Sequence, residues 1–110
     1  MSKLVRDKIP ERLTAKGINY TVFPSDESSR LCWLALKIKE EDVEVYNALL
    51  SDDGDLEEEL ADVLEVIYAI ADAEGISFGD IQQTRISKKR QKGGFSKNIV
   101  LMAIEGDAVG

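Results

Sequence analysis

The sequence predicts a mainly all-α fold: a helical bundle completed by oligomerisation, with one or two short extended segments near the termini. Three observations lead there. Apolar residues recur at helical spacing across two long stretches, 34–50 and 56–73. Capping residues and glycines bracket those stretches. Only Ile18–Phe23 and Phe95–Ile104 have the β-branched and aromatic character of extended chain.

The elements follow in order. Asp7 caps a short helix that carries Pro10 in its first turn and ends at Gly17. Ile18–Phe23 is a strand or extended segment. Pro24 and Ser25 start a long helix, with Asp26 and Glu27 placed where the helix dipole favours anions. It runs to Leu50. Ser51-Asp52-Asp53-Gly54 is a loop by composition. Asp55 caps the next helix, with Glu58 three residues on as in a capping box. Glu74 ends that helix, because Gly75 follows. Ser77 with Asp80 repeats the capping pattern and opens a helix to Lys92, which Gly93-Gly94 stops. Phe95–Ile104 reads as a second short strand, and residues 105–110 as a frayed polar tail.

Composition bounds the chemistry. A chain of 110 residues, 44% hydrophobic and 32% charged, is expected to fold as one globular domain, residues 1–110. No stretch has the apolar length of a membrane span, and the N-terminus lacks a secretory h-region. A cytoplasmic protein is the expectation. The absence of histidine excludes Ser-His-Asp and Cys-His catalysis, and the lone Cys32 excludes an internal disulfide and a multi-cysteine zinc site. The net charge of −7 argues against binding a nucleic-acid polymer. That charge is segregated. Fifteen acids and no Lys or Arg fall between Glu40 and Asp80. A basic block without acids follows, from Arg85 to Lys97, and the first sixteen residues lean basic. Such a layout neutralises itself, and it also suits a site for metal ions and a phosphorylated ligand.

At 100° per residue, Leu34, Ile38, Val45, Ala48 and Leu49 make one apolar stripe, and Leu36, Val43, Tyr46 and Leu50 another on nearly the opposite side. A helix apolar on two sides is sandwiched, which calls for a partner chain. The next helix is apolar except for a ridge of Glu58, Glu65 and Asp72, its expected solvent face. Glu41 and Glu44 lie three apart on the first of these helices, bordering its apolar stripe. Glu59 and Asp62 repeat the relation on the second. Most such pairs are solvated surface charge. If the two helices pack antiparallel, however, the four carboxylates face each other and need protons or a counter-charge. Mg²⁺, or Mn²⁺, is the natural solution, because both prefer oxygen ligands and leave positions for water and phosphate.

The run Lys88-Lys89-Arg90-Gln91-Lys92 suits a solvated helix end. Its functional reading is a phosphate clamp, with Gly93-Gly94 allowing close backbone approach. Trp33 reads as core or interface, with base stacking as its alternative, and Cys32 as a small buried hydrophobe.

Four segments carry a family likeness. They are Lys3-Leu4-Val5-Arg6-Asp7-Lys8-Ile9-Pro10, Lys37-Ile38-Lys39-Glu40-Glu41-Asp42-Val43-Glu44, the segment from Glu58 to Ala69, and Lys92-Gly93-Gly94-Phe95. In this order they resemble the MazG-like all-α nucleoside triphosphate pyrophosphohydrolases, related to phosphoribosyl-ATP pyrophosphohydrolase and the dimeric dUTPases. The resemblance implies a helical bundle whose active site is completed in a homodimer or homotetramer. It implies Mg²⁺-dependent hydrolysis of a nucleotide between the α and β phosphates, with release of pyrophosphate. Carried over, Glu41, Glu44, Glu59 and Asp62 are the metal ligands, and Glu40 orients or deprotonates the attacking water. Lys89, Arg90 and Lys92 bind phosphate oxygens, as do Arg6 and Lys8 of the basic arm. The short 51–54 loop departs from the family's longer members and leaves less protein for a base-specific pocket, which suggests house-cleaning of several nucleotides. Phosphoribosyl-ATP hydrolysis is the nearest alternative. A non-catalytic helical interaction or regulatory protein, its acids mere surface charge, is the alternative from another class.

Overall fold

A computed structural model describes residues 2–52 and 54–103. Four helices are found there: α1 (Ile9–Ala15), α2 (Glu27–Leu50), α3 (Leu56–Glu74) and α4 (Phe78–Lys92). The expected tail at 105–110, and Ile104 and Asp53, lie outside the described residues.

Local chemistry explains most of the boundaries. Asp26 is the N-cap of α2, one residue before the helix proper. Its carboxylate accepts from the Ser29 amide at 2.9 Å and from the Ser28 and Ser29 hydroxyls at 2.8 Å each. Those hydroxyl and amide donors hold its pKa below the ordinary Asp value. Pro24 and Ser25 therefore precede α2 and do not start it. Asp55 caps α3 by accepting from the Glu58 amide at 3.2 Å. Gly75 closes α3 in the left-handed region, φ 68°, and the Ile76 amide returns to the Ala71 carbonyl at 2.9 Å. Gly93 ends α4 with φ 85°.

Two further expectations fail. Asp7 does not cap α1: Lys8 holds the N-cap position, without a side-chain cap. Pro10 in the first turn spares one of the orphan amides a cap would serve. No strand forms among the described residues. Ile18–Phe23 is irregular, since a lone β-prone segment gains a ladder only beside another strand. It is tied down by side chains instead. Tyr20 shares a 2.8 Å hydrogen bond with Thr14, and Phe23 meets Trp33 edge-on at 6.1 Å between centroids. The described part of Phe95–Ile104 is likewise not a strand.

The chain divides into two compact units, residues 1–78 and 79–110. In the first, α2 and α3 pack as an antiparallel hairpin. Gly54 lies against Ala48 at one end, and the Arg30 guanidinium donates to the Ala73 carbonyl at 3.3 Å at the other. Leu34, Val66 and Ala71 are its buried apolar residues, and Tyr68 stacks on Phe78 at 4.0 Å. The Glu58, Glu65 and Asp72 ridge is exposed, as expected. So is the second stripe of α2: Leu36, Val43, Tyr46 and Leu50 are 60, 50, 62 and 72% exposed. The first stripe divides, with Leu34 buried and Leu49 exposed. The second unit carries α4 to Lys92 and the irregular segment after it.

A Cβ at Gly75 would meet nothing within 4 Å, so replacing this glycine tests the backbone alone. Gly75→Ala is expected to lower stability by about 1 kcal/mol in urea denaturation, the ordinary cost of a left-handed non-glycine residue.

Candidate metal centre

Helical periodicity and the antiparallel hairpin together bring acids from α2 and α3 to one place. Glu41 projects from the middle of α2, while Glu59 and Asp62 lie three apart on the first two turns of α3. One carboxylate oxygen from each lies within 4.8 Å of the other two. Glu41 is buried, at 8% exposure, and Glu59 and Asp62 are partly buried. Charged groups so placed repel one another and lose hydration.

Glu59 registers the strain. Its pKa is raised above the ordinary Glu value, first by partial burial and then by the charges of Glu44, Asp62, Glu41 and Glu58. Glu44 thus stands close enough to act on Glu59, though it is exposed and outside the three-oxygen set. The other acids are partly neutralised from the same unit. Lys37 lies 3.3 Å from Glu41 and donates to Glu40 at 3.1 Å. Burial opposes the charge on Lys37, but its bonds to Glu40 and Glu41 outweigh that and raise its pKa. Lys3 reaches Glu40 at 3.1 Å, and Arg6 donates to Asp62 at 2.7 Å. Burial pushes Glu40 up, but Lys3 and Lys37 prevail and hold its pKa below the ordinary value.

Of the residues singled out in the sequence, Glu41, Glu59 and Asp62 are brought together. Glu40 sits beside them in its two ion pairs, and Arg6 is bound to the cluster. Lys8 is exposed at the start of α1. Lys89, Arg90 and Lys92 stand exposed in the last turn of α4, in the second unit, whereas the cluster is built wholly from the first. The sequence reading assigned no role to Lys37 or Lys3. Lys37 was detectable, because its spacings of three and four to Glu40 and Glu41 place all three on one face. The reach of Lys3 had no signal, since it depends on the path of an irregular arm.

The donor set suits a hard divalent cation, being all carboxylate oxygen. Glu41, Glu59 and Asp62 would hold such an ion and leave further positions for water and phosphate.

Residues 32–93 match the model of the MazG nucleotide pyrophosphohydrolase domain. The chain belongs to the MazG family. It is therefore a nucleotide pyrophosphohydrolase, a hydrolase acting on phosphoric anhydride bonds. The three clustered acids all fall within the matched region, as do Glu40, Glu44 and the basic end of α4. MazG enzymes depend on a divalent metal, in keeping with this acidic cluster. No curated protein and no solved structure matches the chain. None of the described helices is long and apolar enough to cross a membrane.

The electrostatics of the metal-free cluster have a measurable sign. A carboxyl whose folded pKa is raised opposes folding once ionised. Its unfavourable contribution is absent below the ordinary Glu range and develops as pH rises through its raised folded value. Glu40 works the other way: it stabilises above the ordinary range, and that support is lost as pH falls through its lowered value. Glu59→Gln is accordingly expected to raise the Tm of the metal-free chain at pH 7 and to leave it nearly unchanged at pH 3.5. Calorimetry across that range checks both.

Proposed function

We propose that the chain hydrolyses a nucleoside triphosphate between the α and β phosphates, with Mg²⁺ or Mn²⁺, giving the monophosphate and pyrophosphate. The observation that carries this reading is the gathering of Glu41, Glu59 and Asp62 within 4.8 Å across the α2–α3 hairpin, inside the MazG-matched region. These three would hold the ion, with Glu44 joining from the next turn of α2. Bound there, a divalent cation supplies Lewis acidity and offsets the charge of the phosphates.

The remaining steps belong to the chain's own residues. Glu40 is the acid adjacent to the ligands that is kept ionised, held by Lys3 and Lys37. A carboxylate so held can orient the water attacking the α phosphorus in line with the leaving pyrophosphate and take its proton, although its two ammonium partners weaken it as a base and favour the orienting role. Arg6 has a forked donor set at the edge of the cluster and suits a phosphate oxygen once Asp62 turns to a cation. Lys8, Lys89, Arg90 and Lys92 are the further cations available to the phosphates. The substrate reading is a nucleotide of broad base type, as in pool cleaning. A cytoplasmic location is part of this reading; Cys32, expected as a small buried hydrophobe, is instead exposed.

A second copy of the chain completes the proposal. The outward stripe of α2 and the exposed Leu60, Leu64 and Tyr68 of α3 give the hairpin two uncovered apolar faces. A homodimer or homotetramer would bury them.

Incubation with a panel of NTPs, dNTPs and phosphoribosyl-ATP plus Mg²⁺ is expected to release pyrophosphate. Glu41→Ala should cost at least about 100-fold, given that even outer-shell partners of metals cost 10–100-fold. Wild type should also gain Tm with millimolar Mg²⁺ beyond what NaCl of equal ionic strength gives. No release from any substrate, in a folded chain, would move the reading to a binding or regulatory role. Sedimentation velocity is expected to give two or four times the monomer mass for wild type, and the monomer for Val43→Glu/Tyr46→Glu.

A further inference from the structure

Beside the acidic cluster the first unit contains a cavity of about 490 Å³. One wall is the irregular N-terminal arm, residues 2–7, and the other is the 21–25 segment, with Trp33 of α2 between them. This volume lies in the range of small-molecule sites. Two of its lining residues connect it to the cluster. Lys3 lines the cavity and reaches Glu40, and Arg6 lines it and reaches Asp62. A ligand whose phosphates lie at the carboxylates would have its other end at this opening.

The lining has the chemistry of a base site. Phe23 and Trp33 both line it, and Phe23 keeps 65% of its surface exposed beside its edge-on contact with Trp33. An aromatic face in that state is a stacking platform for a flat ring. Each wall also offers free peptide edges. Among the described residues, the backbone groups of Leu4 and Val5 in the arm, and of Thr21 and Val22 opposite, pair with no other backbone group. Such groups seek partners in water or in a ligand, and they suit the donors and acceptors on the rim of a heterocycle.

We infer that this cavity is the nucleobase subsite, the base stacking against Phe23 and Trp33 while its edge is read by peptide groups of the arm and of the 21–25 segment. The inference rests on the nucleotide reading above and adds the place where the base is held. It makes Phe23 and Trp33 base-binding residues that tolerate any flat ring, in keeping with a broad substrate range, and it gives the Lys3–Arg6 stretch two tasks, as wall of the base site and as cation donor to the cluster.

Trp33 is the single tryptophan, so its emission reports the cavity directly. Nucleosides and nucleoside monophosphates titrated into the metal-free full chain are expected to change that emission saturably, with inorganic pyrophosphate inert. The assignment is overturned if no nucleoside changes the emission, or if pyrophosphate changes it equally. The second arm is Phe23→Leu, which keeps an apolar contact with Trp33 to hold the 18–23 segment but removes the ring. It is expected to raise KM for the preferred nucleotide roughly tenfold to a hundredfold, the worth of one stacked base. kcat and the Mg²⁺-induced Tm gain should stay near wild type. Unchanged KM, in a chain that releases pyrophosphate, would overturn the subsite and leave the catalytic reading standing. A saturable change with nucleosides in a chain that releases no pyrophosphate would support the base cavity and overturn the catalytic reading instead.

Discussion

The constraint on which the rest of this molecule depends is the crowding of carboxylates along one side of the α2–α3 hairpin. Glu41 is buried at 8% exposure with Glu59 and Asp62 beside it, in a chain whose acids already outnumber its bases by seven. Left alone, that crowding would drive the helices apart or force protons onto the acids. Other features of the first unit answer it. Lys37 is turned inward between Glu40 and Glu41, and the N-terminal arm lays Lys3 and Arg6 over the edge of the cluster. The arm forms no regular structure before Ile9, so these two ion pairs are prominent among the contacts that fix its course.

The hairpin that holds the acids gains little from its own core. Leu34, Val66 and Ala71 are buried, while Leu36, Val43, Tyr46 and Leu50 of α2 and Leu60, Leu64 and Tyr68 of α3 are 40% exposed or more. The buried area of one chain is small for holding like charges together, since each half-buried carboxylate costs stability that apolar burial must offset. Covering the exposed stripes with a second copy would add apolar burial without touching the carboxylate face, because the Leu36–Leu50 stripe lies on nearly the opposite side of α2 from the Leu34 stripe that Glu41 borders. The carboxylate face and the exposed apolar stripe thus occupy different sides of one helix.

How much of this is legible in the sequence depends on how local the deciding physics is. The caps of α2 and α3 and the glycine stop of α3 act within four residues, and Asp26, Asp55 and Gly75 announce them. The cluster was legible because it follows from periodicity and one tight loop: Glu41, Glu59 and Asp62 need only an antiparallel hairpin to meet. Glu44 shows the limit of that argument, since one further turn of α2 carries it from the three-oxygen set to an exposed position nearby. Extended segments fared worse. Ile18–Phe23 has a strand's composition, but a strand is a property of two segments, and the described chain supplies no second one. The Phe23–Trp33 contact and the cavity beside it were illegible for the same reason, as they depend on where an irregular segment comes to rest. Asp7 failed as a cap because a good capping residue competes with the path of the arm, which sets Lys8 at that position.

The two ways in which the acids are neutralised differ in kind, and the difference bears on how the site would load. Lys37 is 16% exposed in its side chain and Glu41 11%, so their pair is sheltered from water and salt. Removing one partner would strand a charge in a poorly hydrated place. Arg6 and Asp62 are 56% and 42% exposed, and exposed pairs contribute between nothing and about 1 kcal/mol. A divalent cation entering between Glu41, Glu59 and Asp62 would therefore exchange with Arg6 and not with Lys37. The cheap pair would open and the sheltered one would persist, keeping Glu41 and Glu40 in position. Arg6 would be left beside the cluster, still on the wall of the neighbouring cavity, with its guanidinium donors unpaired.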